Sequence, residues 1–121
     1  MTAHTVLVVE DDADVRGSLA AVLESQGYDV VEAEHGREAL EILSGDPLRF
    51  CLIVLDLFMP VMDGWAFRAE QMKDPRLATI SVVLVSADSM AVKRAASHGV
   101  IAAMTKPVDF DRLLQTVRTH C

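Results

Sequence analysis

Short apolar runs alternating with stretches of helical period constrain this chain more than any other feature. Residues 6–9, 52–55 and 82–85 are unbroken apolar segments. A strand that is apolar at every position must be covered on both faces. The intervening segments carry apolar residues at helical spacing, so helices form the covering layers and the strands run parallel. The expected fold class is α/β, a doubly wound five-stranded parallel sheet with helices on both faces.

Strands are expected at 6–9, about 29–32, 51–55, 80–85 and 100–105. Val15, Leu19, Val22 and Leu23 form one face of a first helix, and Gly27 supplies its left-handed stop. A second helix runs from near Gly36 through Ala39, Leu40 and Leu43, closes at Gly45, and is barred from continuing by Pro47. Trp65, Ala69 and Met72 predict the buried stripe of a third, which ends before Asp74-Pro75. The fourth, about 89–97, presents small residues (Ala91, Ala95, Ala96) and stops at Gly99, so it should pack shallowly. Asp109 caps a last helix with Phe110, Leu113, Leu114 and Val117 on one face.

The chain of 121 residues, 51% hydrophobic, suits a single domain over 1–121 with an ordinary core, and no linker, repeat or low-complexity tract divides it. A net charge of −7 with eleven scattered Lys and Arg argues against direct nucleic-acid binding. No run approaches the ~20 apolar residues that cross a bilayer, and the start has no basic segment leading into a long apolar stretch. The expected location is cytoplasmic, without membrane contact. Cys51 opens a strand and Cys121 is the last residue, so no bridge between them is expected, in keeping with a reducing compartment. His4, His35, His98 and His120 lack metal-ligand spacing and should serve surface or capping roles.

Each apolar run ends on a polar group: Glu10-Asp11-Asp12, Asp56, Ser86, and Lys106-Pro107. Open parallel sheets place their sites outside the carboxyl ends of the strands, so these groups should converge. Three carboxylates held close repel unless a cation sits among them, and Mg2+ prefers oxygen donors together with a phosphate. Asp56 beside such an ion is a nucleophile toward phosphorus, with Lys106 offsetting charge, Ser86 donating to a phosphoryl oxygen, and small Ala87 leaving room. No side chain stands out as a base for fast hydrolysis, so an acyl phosphate should persist. Singly, each has a plainer role: Asp11 or Asp12 as helix cap, Asp56 and Ser86 as turn formers, Lys106 as a solvated charge. Met59, Met62 and Trp65 are expected to be packing groups. Their coincidence at matching strand ends favours a site.

The stretches Val8-Val9-Glu10-Asp11-Asp12, Leu55-Asp56-Leu57-Phe58-Met59-Pro60-Val61-Met62-Asp63-Gly64, Val85-Ser86-Ala87 and Thr105-Lys106-Pro107 resemble, in order and spacing, the receiver domain of bacterial two-component response regulators. The resemblance covers essentially the whole chain. It implies a flavodoxin-like sheet of order 2-1-3-4-5, Asp56 as phosphoacceptor, and Glu10 and Asp11 as metal-binding pair for Mg2+. It also implies a metal contact from the Phe58 backbone carbonyl, Ser86 as hydroxyl switch, Lys106 as the site lysine, and a cis Lys106-Pro107 bond. The implied partners are a histidine kinase or histidine phosphotransfer protein upstream, and a protein partner or attached output domain downstream. The signal would be read on the face formed by the helix at 89–97, the fifth strand and the last helix.

Two positions depart from the family's habit. Ala103 stands where receivers commonly carry Tyr or Phe, and Phe58 stands where a smaller or polar residue often helps water reach the phosphorus. The bulk of Phe58 is expected to slow loss of the phosphoryl group. The chain is expected to be a switch that assists its own phosphorylation and dephosphorylation, not an enzyme acting on external substrates. The alternatives are a small Mg-dependent aspartyl-phosphate phosphatase, which needs a second Asp where Phe58 stands, and a receiver-like binding module that never takes up phosphate.

Overall fold

Residues alternate along each strand between two cores, and that alternation sets the architecture of the computed structural model, which describes residues 3–121. Five strands, β1 (Thr5–Val9), β2 (Asp29–Ala33), β3 (Phe50–Asp56), β4 (Ser81–Ser86) and β5 (Ala102–Thr105), form one sheet of order β2-β1-β3-β4-β5. Every pairing is parallel. Leu7, Val9, Ile53, Leu55, Val82 and Leu84 face one core; Val6, Val8, Leu52, Val54, Val83 and Val85 face the other. Each fully buried aliphatic side chain contributes roughly 1.5–3 kcal/mol, so neither face of the sheet tolerates exposure.

The helices are α1 (Ala13–Ser25), α2 (Gly36–Leu43), α3 (Gly64–Lys73), the single turn α4 (Pro75–Ala78), α5 (Ser89–Ala95) and α6 (Phe110–His120). Leu19 and Leu23 of α1 and Leu113 and Val117 of α6 close the second core. Ala39 and Leu43 of α2, Phe67 of α3, and Ala91 and Ala95 of α5 close the first. Aspartates N-cap α1, α3, α4, α5 and α6 (Asp12, Asp63, Asp74, Asp88 and Asp109), each accepting a backbone N–H, and His35 caps α2. Each such cap is worth about 1 kcal/mol, which gives five of the eighteen acidic residues a role without invoking a ligand. The left-handed stops fall at Gly27 (φ 88°) and Gly99 (φ 75°), and Lys106-Pro107 is cis. No described helix is long and apolar enough to cross a membrane.

Several expectations are corrected. The buried stripe of α3 is Gly64, Phe67 and Gln71; Met72 is exposed and Trp65 only half-buried. Gln71 is buried because its amide donates to the carbonyls of Leu77 and Ile80 (2.9 and 3.2 Å) while its oxygen accepts from Arg68 (2.7 Å). A polar residue with every strong group satisfied can replace a hydrophobe in a core. The α4 turn, started by Asp74 and Pro75, has no apolar period to announce it. Strand β5 begins at Ala102 rather than 100. Cys51 and Cys121, expected to stay apart, are bridged by a disulfide with Cα atoms 5.3 Å apart, because α6 brings its last turn back against the start of β3.

Candidate functional site

The chain leaves β1 beside the central strand β3, where neighbouring crossovers go to opposite faces, and Glu10 is the first residue beyond it. Its backbone N–H donates to Ala33 O (3.0 Å), which turns the side chain inward, and it is fully buried. Asp11 follows, exposed, and Asp12 turns away to cap α1 through Asp14 N and Val15 N. Of the two acids that were candidates for the cap, the structure assigns it to Asp12. Asp56 is the last residue of β3 and 3% exposed. Carboxylate oxygens of Glu10, Asp11 and Asp56 lie within 4.8 Å of one another.

Lys106, one residue past β5, reaches into this group. Its backbone N–H donates to Ser86 O (2.8 Å), which fixes its height on the sheet edge. Its Nζ lies 2.5 Å from Glu10 Oε1 and 3.3 Å from Asp56 Oδ2. The second Glu10 oxygen, Oε2, accepts from Asp12 N–H (3.1 Å), and Asp56 Oδ1 accepts from Phe58 N–H (3.3 Å). Buried Ser86 stands at the end of the neighbouring strand β4, where its hydroxyl accepts from Asp88 N–H (3.1 Å). Ala87 beyond it is exposed, as is the ring of Phe58.

Burial pushes the Glu10 carboxyl up to about 7, against the lowering effect of the Lys106 ammonium and the Asp12 backbone N–H, and the Asp56 charge adds to the rise. Burial alone would depress Lys106, but the Glu10 and Asp56 carboxylates outweigh it and hold the ammonium above its ordinary range. The site is therefore underneutralised. Three carboxylates against one ammonium leave two negative charges when all are ionised, and Glu10 Oε1 is a buried side-chain oxygen with close ionic contact but no aligned hydrogen bond. An all-oxygen donor set with that deficit fits a hard divalent cation.

Two supporting residues were not found in the sequence. Arg16 of α1 donates to Glu10 O (2.8 Å) and pairs with Glu32 (3.3 Å), tying the β1 edge to β2. Gly64 donates to Leu57 O (2.8 Å) and presses α3 against the backbone that carries Asp56. For Gly64 the available signal was its place directly after a capping Asp63; Arg16 had none, since its contacts depend on the fold.

Residues 6–118 match the family model described as the response regulator receiver domain. The transcriptional regulatory protein GlrR of Escherichia coli (strain K12) is 38% identical over 116 residues, covering 95% of this chain and 25% of its own length. The chain thus spans about a quarter of that relative. Among solved structures, a response regulator receiver protein from Pseudomonas putida aligns with a TM-score of 0.88 at 31% identity over 98% of both chains. The response regulator protein TrrA from Thermotoga maritima, solved in complex with Mg2+-BeF, aligns with a TM-score of 0.83 at 29% identity over all of both chains.

Proposed function

This chain belongs to the response regulator receiver family, and from that premise we propose that it is a phosphoacceptor switch that takes a phosphoryl group on Asp56. The observation that carries the reading is the convergence of Glu10, Asp11 and Asp56 with the Lys106 ammonium at one sheet edge. Glu10, Asp11, Asp56 and the Phe58 backbone carbonyl would hold Mg2+, the cation in the TrrA complex, and when bound it would supply positive charge to phosphoryl oxygens.

An Asp56 carboxylate oxygen attacks phosphorus as the donor's bond to phosphorus breaks, and the departing imidazole of a histidine kinase or phosphotransfer protein takes a proton from water. Lys106, 3.3 Å from Asp56 Oδ2, supplies charge where the new group arrives. The Ser86 hydroxyl trades its Asp88 contact for a phosphoryl oxygen, drawing on the first residues of α5. With half-buried Ala103 in place of an aromatic, the signal reaches the α5–β5–α6 face by displacement of α5 rather than by a rotating ring. Turnover of external substrates is not part of the proposal, since Phe58 stands where a phosphatase would carry its acid.

The direct test is intact-mass analysis after incubation with Mg2+ and a small acyl phosphate. One phosphoryl group should be gained with the cation and none after chelation; equal labelling in chelator would remove the metal from the reading. In Phe58→Asn, loss of the open side chain should shorten the phosphoryl half-life severalfold. An unchanged or longer half-life refutes the shielding role.

Glu10 also predicts how Mg2+ affinity depends on pH. Its folded pKa of about 7 lies above the ordinary 4.5, so in the metal-free chain its stabilising contribution is complete below 4.5 and lost as pH rises through 7. Binding needs the ionised form, so affinity should rise up to about tenfold per pH unit below 7 and level off above it. Titration calorimetry from about pH 5.5 to about pH 8.5 checks this, and a flat profile contradicts it.

A further inference from the structure

Cys51 and Cys121 are the only cysteines in the chain. They lie 70 positions apart, yet the fold joins them with Cα atoms at 5.3 Å, inside the span that a disulfide accepts. Cys121 continues the stripe that buries Leu113 and Val117 of α6, four residues further on, and its backbone N–H still donates to Val117 O (2.8 Å). That last turn has little else to hold it, since Arg118, Thr119 and His120 are exposed. The bridge therefore ties the last turn of α6 to the start of β3.

We propose that this pair is a reversible dithiol–disulfide site, exchanging with low-molecular-weight or protein disulfides, that restrains the end of α6 according to redox conditions. Both cysteines are half-buried and line a surface recess with Pro47, Thr79, Ser81 and His120, so an incoming sulfur has access. The opened state is accommodated too, because Thr5 O lies 3.4 Å from Cys51 Sγ and accepts its thiol proton. In oxidation, the Cys121 thiolate attacks one sulfur of the reagent disulfide and expels a thiolate. The Cys51 thiolate then attacks Cys121 Sγ in the mixed disulfide and expels the second. Two protein thiols and one reagent disulfide become one protein disulfide and two reagent thiols, with both electrons passing to the reagent.

This input is separate from the phosphoacceptor. Asp56 lies five residues along β3 from Cys51, about 17 Å at strand rise, so the bridge acts on α6 and leaves the acid cluster alone. Its failure and that of the phosphoryl reading are thus distinguishable.

The 121-residue chain is equilibrated with graded ratios of reduced and oxidised glutathione, quenched by alkylation and read by intact mass. The monomer should pass from two alkylated thiols to one internal bridge within that series. Opening the bridge should lower Tm by roughly 10 °C and speed amide exchange in the last turn of α6, with phosphorylation rate unchanged. Cys51→Ser and Cys121→Ser should each lose the redox response. Because reduced and oxidised wild type are compared directly, the test survives a variant that folds poorly. Two free thiols at every ratio, a bridge that never opens, crosslinked dimers in place of an internal bridge, or identical Tm and exchange in both forms would each overturn the proposal.

Discussion

In Asp56→Asn, phosphoryl incorporation from a small acyl phosphate in Mg2+ is lost entirely while the circular dichroism spectrum stays that of the parent. A carboxamide has no anionic oxygen to form the acyl phosphate, and no neighbour can substitute. Glu10 is fully buried with both oxygens engaged, by Lys106 and by the Asp12 N–H, and Asp11 is exposed and, among the described residues, has no cation beside it to offset charge on a transferred group. The fold survives because the amide oxygen can still accept the Phe58 N–H bond (3.3 Å in the parent) and because Lys106 keeps Glu10. Mg2+ affinity should fall at least about tenfold, since one of three convergent carboxylates is gone. Intact mass and calorimetry on the same sample check both. If Asp56→Asn is labelled as fully as wild type, the acceptor is another residue and the proposed function fails.

The strands and the convergence of the candidate acids were legible because their signals are local. An unbroken apolar run states that both sheet faces are covered, and a carboxylate at its end lies at the sheet edge in any parallel arrangement. The cap at Asp109 was legible for the same reason, standing one residue before a helical stripe, whereas for the first helix the sequence left Asp11 and Asp12 both open and only the fold selects Asp12. What stayed hidden depends on partners distant in sequence. Met72 reads as more buried than Gln71 on hydropathy alone, yet the carbonyls of Leu77 and Ile80 satisfy the Gln71 amide and reverse the order. The Cys51–Cys121 bridge follows from where α6 ends against β3, which neither segment records by itself. Sheet order came from family resemblance, since parallel runs of this kind pack in several orders without violating any local preference.

Gly64→Ala and Gly17→Ala form the sharpest test of how the backbone positions Asp56. Gly17 lies inside α1 and Gly64 is the first residue of α3; on helix propensity alone the change at Gly17 is favourable by roughly 0.5–1 kcal/mol and at Gly64 it carries no penalty. At Gly17 that gain is available, because an added Cβ meets nothing within 4 Å on the exposed side of α1, and Tm should rise by a few degrees. At Gly64 the Cβ would stand 2.6 Å from Asp56 O and 2.8 Å from Leu57 Cα. Those are backbone atoms at the end of β3, with no flexible side chain to yield. Relief requires α3 to retreat, breaking the Gly64 N–H bond to Leu57 O, or the Asp56 peptide to shift. Overpacking of this kind costs roughly 1–3 kcal/mol, enough to lower Tm by about 5–10 °C. A displacement near 1 Å at a reacting group slows chemistry by about a hundredfold, so phosphorylation should fall at least tenfold in protein that remains folded. Melting curves and single-turnover labelling of the two variants side by side separate the effects. Parent-like labelling in folded Gly64→Ala would mean that Asp56 does not depend on the packing of α3.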